Sequence, residues 1–253
     1  MTVKELYDKL DKRIPKSLSE EWDNDGLMCS ADTSQEVKKA LLTLDVTEEI
    51  VDFAIKRSYD LIISHHPLIF RPVSHICEDN HVARKIIKLI DNDISVFSFH
   101  TRLDKVSGGV NDTLASLFSL KDVKSFGEGE LGRVGNLSRE MELDEFLDLV
   151  KSALGINSLK VANGYNVVRR VALVGGDGKD YVKSAMEAGA DTYLSGRISY
   201  NLMEEASELG INLIEAGHYH TEVPVLEFLA DLLNTYDMSL TVDFADSNMI
   251  ETI

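Results

Sequence analysis

Short apolar runs alternate with amphipathic segments along most of this chain. The runs ALLTL (40–44), DLIIS (60–64) and ISVFSF (94–99) occupy the first half, and RVALVG (170–175), DTYLS (191–195) and INLIEA (211–216) the second. They lack the strict apolar–polar alternation of a strand with one wet face and read as strands covered on both sides. Between them, segments such as TEEIVDFAIKRS (47–58) and KDYVKSAMEAG (179–189) carry apolar residues at helical spacing with charges between. Gly189 and Gly210 stand where helix C-caps belong. Such alternation predicts parallel strands joined by right-handed helical crossovers. Outside this pattern lie an N-terminal helix near 3–12, a loop EEWDNDGLMCS at 20–30 and a helix opening near Asn111. The segment 126–168 reads as a strand GRVGNL, a helix LDEFLDLVKSAL and one or two further strands.

The pattern is written twice. Residues 38–65 lie over 169–196 without a gap at a constant offset of 131, so that Leu42 meets Leu173, Ala54 meets Ala185, Asp60 meets Asp191 and Ser64 meets Ser195. A second block, SVFSFHTRLD (95–104), lies over LIEAGHYHTE (213–222) at an offset of 118, which sets His100 on His218 and Asp104 on Glu222. The expected fold is therefore α/β, with two intertwined βαβαβ-type repeats and mostly parallel or mixed sheets. The first repeat takes 1–125 with the N-terminal helix and is completed by 223–253; the second takes 126–222.

Composition narrows the class. The 253 residues carry 26 Lys and Arg against 43 Asp and Glu, a formal net charge of −17, which repels phosphate backbones and disfavours nucleic acid as a partner. No run approaches the roughly 18 uncharged apolar residues of a membrane helix, and MTVKELYDKLDKRIPKSL has no signal-peptide core. Cys29 and Cys77 form no CxxC pair, which excludes a cysteine-rich zinc site and fits a reduced, cytoplasmic setting. Both read as small hydrophobes.

The candidate chemistry sits at the carboxyl ends of the strands, where open parallel sheets bind their ligands. His65 and His66 follow DLIIS directly and are halted by Pro67. Adjacent residues at a strand end diverge, so the two imidazoles can serve two metals. Asp104 lies just past SVFSFH, and His218 and Glu222 follow INLIEA four apart, one helical turn. A lone histidine at a strand end is usually structural; two adjacent ones, with H-x-x-x-[DE] in both halves, argue for a metal. Imidazole and carboxylate donors suit zinc, manganese or iron, and five ligands can hold two divalent ions at the strand ends between the repeats. Glu222 and His100 are the candidates for moving a proton. His100 either matches His218 as a ligand or orients one from behind. His75 and His81 have no partner spacing and read as surface residues, and His220 points away from His218 on a helical turn. No GxxxxGK[ST] phosphate loop occurs, and GGDGKDY is too loose to count as one.

The motifs WDNDGL (22–27), SHHPLIF (64–70), HTRLD with GGVND (100–112), GGDGKDYVKSAMEAGADTYLSG (175–196) and GHYHTE (217–222) span the chain. Together they resemble the dinuclear-metal-centre hexameric family, the NGG-interacting-factor-three-like proteins, often called GTP cyclohydrolase I type 2 homologues. The resemblance implies a toroidal homohexamer with metal sites facing its interior. It also implies His65, His66, Asp104, His218 and Glu222 as ligands, with Glu222 bridging; the chain is short for the family and is expected to lack the extra domain that some members carry between the two halves. The implied activity is that of a divalent-metal-dependent hydrolase that opens the imidazole ring of GTP with loss of formate. A two-metal phosphoesterase or other nucleotide hydrolase, and a metal-binding scaffold or regulator without catalysis, are the alternatives. The segment SGRISYN departs from the family pattern: Arg197 and Asn201 stand where an acidic residue and a histidine are usual, and a cationic Arg197 suits a phosphate.

Overall fold

The computed structural model describes residues 1–250, and the chain divides into two compact units. Met1–Val106, joined by the C-terminal stretch from Leu226, makes the first; Ser107–Val225 makes the second. In chain order the first unit holds α1 (Val3–Arg13), β1 (Gly26–Cys29), β2 (Lys39–Thr43), α2 (Glu48–Lys56), β3 (Leu61–Ser64), α3 (His81–Asp91), β4 (Ser95–Ser98) and α4 (Thr101–Lys105). The second holds α5 (Val110–Leu117), β5 (Lys121–Phe126), β6 (Gly132–Met141), α6 (Leu143–Leu154), β7 (Lys160–Ala162), β8 (Val168–Asp177), α7 (Val182–Glu187), β9 (Thr192–Arg197), α8 (Tyr200–Leu209), β10 (Asn212–Glu215) and α9 (His218–Glu222). The chain then returns to the first unit through α10 (Val225–Tyr236) and β11 (Thr241–Phe244).

The first sheet runs β1-β4-β3-β2-β11, parallel throughout except for β1, which is antiparallel to β4. Leu41, Ile62 and Val96 from its three central strands pack with Val51 and Ala54 of α2 and Leu89 of α3. The second sheet runs β5-β6-β8-β9-β10-β7, with β8, β9 and β10 parallel and the flanking strands antiparallel. Its strands split by residue parity, as the two-residue period of a strand requires. Val171 and Leu173 of β8 join Phe146 and Val150 of α6 and Leu114 of α5 on one face, while Ala172 and Val174 join Ala185 of α7 and Ala206 of α8 on the other. The result is a mixed α/β fold with two sheets of parallel and antiparallel strands, each covered on both faces in its centre, which is why the sequence shows unbroken apolar runs.

Two local features differ from the sequence expectation. The end of the loop EEWDNDGLMCS is strand β1, recruited by the exposed edge of β4; its polar neighbours hide it in a single sequence. Residues 107–125 belong with the second unit, because β5 pairs with β6 and α5 packs on β6 and β8.

The repeat is visible atom by atom. Asp60 Oδ2 accepts the backbone N–H of Lys38 and of Lys39 at 2.8 and 2.9 Å. Asp191 Oδ2 accepts those of Arg169 and Arg170 at 3.0 and 2.7 Å. Each carboxylate thereby pins the start of one strand to the start of the next, at positions 131 apart. The second block of the repeat, by contrast, aligns differently in space than in sequence. Ser95 pairs with Leu61 and Asn212 with Thr192; Phe99 N–H donates to Ser64 O and Ala216 N–H to Ser195 O. The offset is thus 117, not 118, and His100 and Gly217 are the equivalent N-caps of α4 and α9. His218 corresponds to Thr101, so the shared H-x-x-x-[DE] pattern is shifted by one residue, about 100° around the helix. Replacing Asp60 or Asp191 by Ala leaves two strand-entry N–H groups without their charged acceptor; each variant should lose about 2 kcal/mol in urea unfolding. Asn, which keeps one acceptor oxygen, should lose less.

Candidate metal centre

Three histidines gather at the carboxyl end of the first sheet. The ligand nitrogens of His65, His66 and His100 all lie within 4.8 Å of one another, and Asp104 Oδ1 stands 3.5 Å from His65 Nε2. Strand β3 delivers the adjacent pair, and α4 delivers Asp104 one turn beyond its N-cap His100.

Each ring is held through Nδ1. His65 Nδ1 is 2.9 Å from the carbonyl oxygen of Phe99. A carbonyl only accepts, so Nδ1 carries the hydrogen, and in the neutral ring the lone pair sits on Nε2. His66 Nδ1 lies 2.8 Å from Asp45 Oδ1, and His100 Nδ1 lies 2.8 Å from Asp23 Oδ1. Carboxylate or carbonyl behind an imidazole fixes its tautomer and strengthens the opposite nitrogen as a donor to a metal. Neither Asp23 nor Asp45 was among the residues singled out by sequence. Asp45 follows β2 directly, at a strand end, and that position was the available signal.

The WDNDGL segment braces this arrangement. Asp23 Oδ2 accepts the backbone N–H and the hydroxyl of Thr101 at 3.0 and 2.6 Å. Asp25 accepts the N–H of His100, the Lys16 ammonium and the Nε of buried Arg102. Arg102 Nη1 donates onward to Asp11 and to Ile14 O. Burial alone would raise the Asp23 carboxyl, but the hydrogen bonds from His100 and Thr101 and the imidazole charge outweigh it and bring the pKa to about 2.

In the second unit, α9 carries His218 and Glu222. Glu222 is buried and its Oε2 lies 3.0 Å from His218 Nε2. The approach of α9 to the strands depends on glycine. A Cβ on Gly176, whose φ is +65°, would fall 2.0 Å from Glu222 Oε1 and 3.3 Å from His218 Nε2. A Cβ on Gly196 would fall 2.6 Å from Thr221 Oγ1 and 2.8 Å from His218 Cα. Thr221 Oγ1 accepts from Gly176 N and tethers the helix to that turn. Arg197, next after Gly196, is exposed and lies 3.6 Å from Asp177. Of the remaining histidines, His75 and His81 are exposed, as their spacing implied. Cys29 is half-buried, which raises its thiol to about 12, and Cys77 is exposed.

The family described as Duf34/NIF3 (NGG1p interacting factor 3) matches residues 1–251. The chain belongs to this family. A Clostridium perfringens protein named GTP cyclohydrolase 1 type 2 homolog is 38% identical over 233 residues, covering 89% of this chain and 88% of the relative. One of the same name from Methanocaldococcus jannaschii is 33% identical, covering 95% and 99%. Among solved structures, Staphylococcus aureus SA1388 superposes with a TM-score of 0.89 at 29% identity, covering 100% of this chain and 99% of the other. Reduced HcgD from M. jannaschii superposes with a TM-score of 0.85 at 31% identity, covering 96% and 97%. No helix among the described residues of this DUF34/NIF3 protein is long and apolar enough to cross a membrane.

The depressed Asp23 has a pH signature. Its folded pKa lies below the ordinary 3.8, so its contribution of about 2 kcal/mol is complete above about pH 5 and fades as the pH falls toward 2. The stability gap between wild type and Asp23→Ala in urea unfolding should narrow by about 1 kcal/mol between pH 6 and pH 3.

Proposed function

We propose that this DUF34/NIF3 protein is a divalent-metal-dependent hydrolase holding two ions of zinc, manganese or iron through His65, His66, Asp104, His218 and Glu222. The carrying observation is the fixed tautomer of His65, whose Nδ1 is committed to the Phe99 carbonyl and whose Nε2 faces Asp104. The donor set fits borderline metals, and the glycine cradle at 176, which a single Cβ would fill with a clash against Glu222, fits a carboxylate held for coordination. Divalent ions there would supply Lewis acidity and bring the pKa of water near neutrality.

The chain's own groups account for the rest. His66 is oriented by Asp45 and His65 by Phe99, so neither ring needs to rotate before binding. Glu222, buried on α9, would serve as a ligand to the ions and, with His100, is one of the two groups proposed to move a proton. His100, its Nδ1 anchored on Asp23, presents Nε2 for proton transfer to or from the reacting group. We take the substrate to be GTP, opened hydrolytically at its imidazole ring, on the strength of the names carried by the curated relatives. Assembly as a homohexamer belongs to the same reading.

Elemental analysis of protein purified without chelator should find close to two divalent ions per chain, falling below one in His65→Ala and in Glu222→Ala. Fewer than one ion in metal-replete wild type would end this reading. Metal-loaded protein given GTP should release formate and a dihydropterin; release of inorganic phosphate or a nucleoside monophosphate would identify a phosphoesterase instead. His100→Ala should retain both ions and lose at least about 100-fold in turnover.

A further inference from the structure

Three rings stand together at one border of the histidine cluster. Trp22 lies 6.1 Å from Phe70 and 6.1 Å from His100, and Phe70 lies 6.2 Å from His100, all edge-to-face. Two of the three are largely open to solvent: Trp22 is 62% exposed and Phe70 47%. A tryptophan so exposed is uncommon, and here it is held in place. Asn24, two residues on, donates its side-chain N–H to the carbonyl of Ile69, the residue before Phe70, tying the two loops together. Asp23, next to Trp22, is buried and bonded to both His100 and Thr101. The aromatic faces are therefore fixed relative to His100 instead of waving on a free loop. Folding explains the positions of Asp23 and Asn24, but it does not explain why the residues beside them present large rings to water.

We propose that Trp22 and Phe70 are specificity-determining residues: a stacking platform that receives the planar heteroaromatic ring of the substrate and presents its edge to His100. A preformed platform loses little entropy on binding, every flat heterocycle has a π-face to offer, and base–aromatic stacking tolerates many ring identities. Edge-to-face pairing with Phe70 and His100 leaves Trp22 62% exposed, so much of the indole remains open for this contact. The inference rests on the hydrolase reading for its orientation, since it is His100 that the ring would meet, but it is tested by binding alone.

Trp22 is the only tryptophan in the chain, so intrinsic fluorescence reports on this platform directly. Metal-loaded full-length protein is titrated with guanosine 5′-monophosphate and, in parallel, with ribose 5-phosphate, which has the sugar phosphate and no ring. The nucleotide should quench Trp22 emission and the sugar phosphate should not. By calorimetry Trp22→Ala should raise the nucleotide Kd about tenfold or more. Trp22→Phe should recover most of that loss, and the melting temperature of both variants should confirm folding. Equal affinity for the two probes, no nucleotide binding, or an unchanged Kd in Trp22→Ala would overturn the proposal. So would a Trp22 emission that shifts on dilution alone, which would assign the patch to contact with a second copy of the chain. Quenching without hydrolysis of any nucleotide would leave the platform standing and remove the hydrolase reading. Hydrolysis with an unchanged KM in Trp22→Ala would do the reverse.

Discussion

A single hydrogen bond settles the chemistry of the most buried histidine. The carbonyl oxygen of Phe99 can only accept, so the ring of His65 must donate from Nδ1, and in the neutral ring the lone pair belongs to Nε2. That carbonyl is aimed by the sheet itself, because Phe99 directly follows β4 and its own N–H is already bonded to Ser64 at the end of β3. The tautomer is therefore a property of strand pairing. His66 and His100 reach the same condition by carboxylates from neighbouring loops, and the network around Asp25 and Arg102 holds the second of those loops in place. Removing the strand order would release the His65 tautomer before it touched the imidazole itself.

The internal repeat supplies two frames with different furniture. At equivalent positions the first unit has Asp45, His65 and His100, and the second has Gly176, Gly196 and Gly217. Loss of those side chains is what lets α9 lie so close on the ends of β8 and β9 that a Cβ at either of the first two glycines would collide with it. The first unit keeps its donors mainly on strand ends; the second clears its strand ends and puts its donors on the helix. His218 and Glu222 are thus reached by a different route from His65 and Asp104, although a gapless alignment makes His218 and His100 look like copies.

Much of this was legible in the sequence, for identifiable reasons. The central strands and α6 could be read because both faces of each sheet are covered and the helix is amphipathic, so burial writes itself into the residue pattern. The histidines could be read because two in a row at a strand end have few structural uses. What stayed hidden depends on contacts between distant residues. Strand β1 exists only because β4 has an edge to fill, and Asp23, 77 positions from His100, looks like an ordinary loop aspartate until the chain is folded. The one-residue slip of the repeat was invisible because identity of letters, not hydrogen-bond register, set the alignment.

The left-handed backbone at Gly176 carries one more consequence. Its counterpart Asp45 sits behind His66, yet an aspartate at 176 would face both a φ of +65° and the carboxylate of Glu222. A symmetric chain with the first unit's donors in both halves is therefore out of reach by single replacements: the helix must be moved before the strand ends can be refilled. The division of labour is therefore locked on one side: the second half cannot take on the first unit's strand-end side chains while α9 stays where it is.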